Sequence, residues 1–128
     1  MQISKINNQN FGANPSETTK MVLVGLERKG IDTTSIIRKM LNLSPKGIVQ
    51  THRFSTSGVC RMDVFSASGT NPRSIISTKD AIHLDENFAP LLPEKAYAKI
   101  DKGLDAILAK RSADEKIWDK IERLCIQG

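Results

Sequence analysis

Aromatic side chains are scarce in this chain, with one Trp, one Tyr and four Phe among 128 residues. A core built from it has to be mainly aliphatic. Cysteine is nearly absent too: Cys60 and Cys125 stand alone, with no Cys-x-x-Cys and no His-x-x-x-His spacing for a metal. Both fall at apolar positions and read as buried free thiols of a reducing compartment. No apolar run approaches the ~18 residues that span a bilayer, and the start Met1-Gln2-Ile3-Ser4-Lys5 lacks the long apolar stretch of a secretory signal. The expectation is a cytoplasmic protein without membrane contact. Glycine-rich phosphate loops, nucleophile elbows and paired carboxylates on a helix face are all missing. No catalytic residue, metal or cofactor is therefore expected.

The amounts that are present suit one α+β domain: 26% charged, 39% apolar and a net charge of +5. That charge is uneven. Residues 1–54 carry eight basic side chains against three acidic ones, residues 55–92 come to −1, and the remainder to +1. Any preference for an anionic partner should lie in the N-terminal half.

Residues 1–14 are rich in Asn and Gln and read as a flexible or surface-docked segment ahead of a domain over 15–128. In Asn14-Pro15-Ser16-Glu17 a capping residue, a first-turn proline and an early carboxylate announce a helix to about Lys29, stopped by Gly30. Met21-Val22-Leu23-Val24-Gly25-Leu26 is apolar all round and suits a buried helix or a central strand; the cap favours the helix. Asp32 caps a second helix over about Thr33–Leu43, with Ile36, Ile37, Met40, Leu41 and Leu43 on its apolar face and Ser44-Pro45 as its end.

The middle alternates with period two. Ile48–Phe54 and Val59–Phe65 read as a hairpin at the heart of a small antiparallel sheet, about 48–65. Pairing Phe54 with Val59 puts Val49, Thr51, Cys60, Met62 and Val64 on a core face. The other face then sets Gln50 opposite Asp63 and His52 opposite Arg61; a one-residue slip would mix the two sets. Residues 66–73 carry loop signals, Ile75-Ile76 suggests a third short strand, and 77–86 fits either a strand or a capped helical turn. The C-terminal third reads as a helical hairpin over about 93–126. Pro93 opens a first helix whose stripe is Tyr97, Ile100, Leu104, Ile107 and Leu108. Ser112-Ala113-Asp114-Glu115 forms a capping box for a second, with Ile117, Trp118, Ile121, Leu124 and Cys125 on one face. Trp118 is expected in the core. Gly103, mid-helix at a cost of ~1 kcal/mol, suggests close approach of another backbone.

Candidate sites follow from these faces. Gln50, His52, Arg61 and Asp63 gather polar groups on the hairpin: His52 as acid/base or ligand anchor, Asp63 orienting it, Arg61 gripping an anion. Such faces also arise from ordinary strand patterning. Cys60 and His52 point to opposite faces, so a thiol–imidazole pair is not expected, and His83 and Asp85 share a face only in an extended segment. On the first two helices, Arg28, Lys29, Ser35, Arg38, Lys39 and Asn42 offer phosphate and base contacts in a helix-turn-helix-like arrangement. Leu26 and Lys39 stand where that motif wants a small and an apolar residue, so the likeness carries no function. The expectation is a non-enzymatic binding or regulatory protein working by protein–protein contact, with a homo-oligomer compatible. The alternatives are a nucleic-acid-binding protein using residues 20–54 and a small enzyme with His52 as its acid/base.

Overall fold

Burial decides the register of the central hairpin. In the computed structural model, which describes residues 12–43, 46–54, 57–66 and 72–127, strand β2 (Ile48–Phe54) pairs antiparallel with β3 (Val59–Phe65). Ile48 meets Phe65, Gln50 meets Asp63, His52 meets Arg61 and Phe54 meets Val59. Val49, Thr51, Cys60, Met62 and Val64 are accordingly buried, as the alternation demands. Strand β4 (Arg73–Ile76) adds antiparallel to the second half of β3, and β5 (Ile82–His83) to its first half. The segment between them holds both structures suggested by its sequence: a 3-10 turn over Thr78–Asp80, with Ser77 accepting the Asp80 amide, and then β5. Residues 1–11, Ser44-Pro45, Ser55-Thr56 of the expected turn, residues 67–71 of the expected loop and Gly128 lie outside the described residues.

The sheet is mixed, which corrects the purely antiparallel expectation. Asn14–Pro15 forms a two-residue strand, β1, parallel to β2; the Asn14 amide donates to the Gly47 carbonyl and the Ser16 amide to that of Val49. A proline lacks an N–H and is tolerated at such an edge. This pairing shifts the first helix, α1 (Glu17–Arg28), so that Ser16 and not Asn14 is its cap, accepting the Thr19 amide at 3.2 Å. Val22, Leu23 and Leu26 are buried while Met21 and Val24 are exposed, so the all-apolar stretch is a helix with one face outside. Gly30, at φ +88, takes the left-handed conformation that stops it. The next helix, α2 (Thr34–Leu41), begins under two clamps: Asp32 Oδ1 accepts the Thr34 amide and hydroxyl, and Glu27 Oε2 accepts the Thr33 amide and hydroxyl.

The helical hairpin expected at the C-terminus is a single helix, α3 (Pro93–Gln127), of 35 residues and ~50 Å. No glycine or proline interrupts Lys110-Arg111-Ser112-Ala113-Asp114-Glu115, and good helix formers carry the chain through the Ser112 box. Its first half completes the core. Ala96, Ile100, Leu104 and Ile107 are buried with Val22, Leu26, Ile36, Met40 and the inner sheet residues. At Gly103 the backbone of β4 comes so close that a Cβ would stand 1.9 Å from the Ile75 carbonyl oxygen. Arg111 ends this docked half by donating to the carbonyls of Asn42 and Leu43, the residues just past α2. Beyond it, α3 overhangs the body.

Candidate functional site

Two surfaces stand out, and both come from sequence patterns already described. The first is the overhang of α3. Ile117, Trp118, Ile121 and Leu124 recur at helical spacing, and they are 56%, 64%, 46% and 59% exposed. Cys125, on the same face, is exposed as well. Trp118 is therefore not a core residue. Ile100, Leu104 and Ile107 are covered by the sheet and α2; the same stripe continued past Arg111 meets nothing among the described residues. Large contiguous apolar surface is uncommon on monomeric proteins, and Trp is among the residue types enriched at binding hot spots.

The second surface is the outer face of the hairpin. Three of the four polar candidates converge there. Asp63, only 6% exposed, lies at the centre: Ser74 on β4 donates from Oγ to Asp63 Oδ1 at 3.1 Å. His52 Nε2 and Arg61 Nε approach Asp63 Oδ2 at 3.5 and 3.4 Å. Neither approach has hydrogen-bond geometry. The His52 ring meets Phe65 edge-on, with centroids 6.0 Å apart. Gln50 stays outside the cluster and donates to the Thr51 carbonyl. Ser74 was not anticipated. It lies opposite Asp63 because the ladder between β3 and β4 shifts register between Met62 and Asp63, an irregularity that strand periodicity does not reveal. Arg53 was also missed: it stacks over Phe88 at 4.9 Å to the ring centroid.

Cys60 takes no part in either surface. It points into the core, and burial pushes its thiol up to about 12, against a smaller opposing effect of Arg53. Among the described residues no group of three or more His, Cys, Asp or Glu could hold a metal ion, and no helix is long and apolar enough to cross a membrane. His83 does lie in an extended strand, but its side chain is exposed and Asp85 is occupied: it accepts the Asn87 and Ala89 amides. Those backbone bonds, Ala89's the larger, hold its carboxyl below the usual range.

The basic residues of the first two helices divide. Arg28, Lys29, Ser35, Arg38 and Asn42 are exposed. Lys39 is not available as a phosphate contact. Its ammonium lies 2.6 Å from Asp101 and 2.8 Å from Asp105 on α3, and these two hydrogen-bonded carboxylates hold its pKa well above the ordinary lysine value. Lys39 ties α2 to α3.

Neither known protein families, nor curated protein sequences, nor solved structures contain a match to this chain.

Proposed function

We propose that the chain is a small non-enzymatic binding protein of the cytoplasm, acting through protein–protein contact at the overhanging half of α3. One observation carries the reading: four large apolar side chains, including the chain's single Trp, lie exposed on one face of a helix whose earlier turns use that stripe for packing. Nothing in the fold requires those residues to be apolar. A partner does.

The test is affinity capture from the native host with the intact chain and with Ile121→Glu, each with and without nuclease. The reading expects a stoichiometric protein band that survives nuclease and disappears with Ile121→Glu. Circular dichroism should report an unchanged fold, since Ile121 is outside the core. A band indifferent to the substitution contradicts the reading, and one recovered only without nuclease favours nucleic acid. That alternative draws less support, because Lys39 is consumed in ion pairs.

A second reading rests on the convergence at Asp63. His52, Arg61 and Ser74 gather around one buried carboxylate, an arrangement suited to a small anionic ligand with His52 as acid/base. A ligand that raises the melting temperature of the wild-type chain and not of His52→Ala would support it. Equal shifts in both would count against it.

A further inference from the structure

We propose that the exposed stripe of α3 pairs with the same stripe of a second copy, the two helices running side by side in the same direction. This rests on the reading of that face as a protein-contact surface and names the partner. The argument starts from the charges beside the stripe. At 100° per residue, Ile117, Ile121, Leu124, Cys125 and Trp118 form one face. Lys116 and Lys120 then fall along one edge of it, and Glu115 and Glu122 along the other. Glu115 is engaged by Arg111 at 2.9 Å. No ion pair among the described residues uses Lys116, Lys120 or Glu122. Lys120 and Glu122 are two residues apart, so they face different directions and cannot pair along one helix.

A face with one basic and one acidic edge complements itself. When two copies run in the same direction, the basic edge of each meets the acidic edge of the other, and Lys120 reaches the Glu122 carboxylate of its twin. When they run in opposite directions like edges meet. Asp114 lies on the same face one turn before Ile117; two such carboxylates repel, so the pair opens there, just where each helix enters its own body.

The area sets the strength. With exposures of 46–64%, the four large side chains offer on the order of 400 Å² per copy. Two copies bury about 800–900 Å² plus the flanking residues, near the ~1,000 Å² lower limit of a specific interface. The dimer is therefore weak and dependent on concentration.

Sedimentation velocity of the full chain, from micromolar to near-millimolar, tests this. A monomer–dimer equilibrium is expected, weakened about threefold to tenfold by Lys120→Glu and restored when Glu122→Lys is added. With a small-molecule disulfide such as oxidised glutathione as the two-electron acceptor, reduced to two thiols in the exchange, the exposed Cys125 thiols of two copies should join in a disulfide, with Cys60 protected in the core. A strict monomer overturns the self-pairing; if host capture still depends on Ile121, the protein-contact reading survives. A dimer that ignores the charge exchange and forms no Cys125 disulfide overturns the same-direction pairing. A strict monomer whose host capture is also indifferent to Ile121→Glu overturns both.

Discussion

Replacing Gly103 by Ala sets two effects of opposite sign against each other. In an exposed helix interior Gly→Ala stabilises by ~1 kcal/mol, since alanine has less backbone freedom to lose. At Gly103 the added Cβ would stand 1.9 Å from the Ile75 oxygen and 2.8 Å from its carbonyl carbon. Both are backbone atoms, so no side chain can swing aside. To restore ordinary contact α3 must retreat by about 1.5 Å, and gaps of that order forfeit half or more of the dispersion energy across a contact. Ile100, Leu104 and Ile107, which α3 buries against the body, would all lose contact together. Overpacking of this kind typically costs ~1–3 kcal/mol, sometimes more, and concerted retreat of a helix belongs at the upper end. The net expectation is a loss of about 2 kcal/mol, or a melting temperature lower by roughly 6–8 °C at this chain length. Urea denaturation followed by far-UV circular dichroism measures it. If Gly103→Ala melts at or above the wild type, α3 does not lie against β4 as described.

Other expectations concern buried polar groups and ionisation. Thr19 donates from Oγ1 to the Val49 carbonyl at 2.8 Å and sits 2.9 Å from the Thr51 hydroxyl; Thr19→Val leaves the carbonyl its Ser16 amide but takes the buried Thr51 hydroxyl's partner, and should cost about 1 kcal/mol in denaturant unfolding. Asp63→Ala leaves Arg61 and His52 without their shared carboxylate. Because those two keep partial contact with water, a loss of only about 1–2 kcal/mol is expected, and a more stable variant would show the cluster to be a liability. Cys60 ionises near 9.0 when unfolded and near 12 when folded. Below the lower value both states are protonated and nothing changes. Between the two values the unfolded chain binds fewer protons, so stability should fall by up to ~1.4 kcal/mol per pH unit. Lys39, held above its usual range, pushes the same way, so the share of Cys60 is read as the slope lost in Cys60→Ala. An unchanged slope would place Cys60 in water.

What could be read from the sequence, and what could not, divides by where the deciding interaction lies. The hairpin was legible because a slip of one residue would put Gln50 and His52 on the same face as Met62 and Val64, burying the first pair or exposing the second, a penalty contained in the strands themselves. The polar cluster followed from that register, except for Ser74, whose partner is set by a third strand. The ends of elements were less legible. Asn14 is a good cap, but pairing with the Gly47 carbonyl draws it into a strand and passes the cap to Ser16. Likewise Lys39 belongs by sequence to a basic face, and only the folding of α3 beside α2 brings Asp101 and Asp105 to it. Most instructive is Ser112-Ala113-Asp114-Glu115: as a capping box it suits a helix start, yet with no breaker before it the same residues suit a helix interior. The Trp118 stripe was legible as an apolar helix face, and it lies exposed. Periodicity alone does not tell whether such a face is covered within the same chain.

The central claim is that α3 has a folding half and a contact half, divided at Arg111. Removing residues 112–128 tests it most directly, by equilibrium unfolding of the shortened chain beside the full one. Among the described residues the side-chain tie that is lost is the surface Arg111–Glu115 pair, worth ~0.3–0.5 kcal/mol. The expected result is an unfolding free energy within about 0.5 kcal/mol of the full chain, together with loss of partner capture and self-association. A drop of about 2 kcal/mol or more would place the stripe in the core and contradict the account.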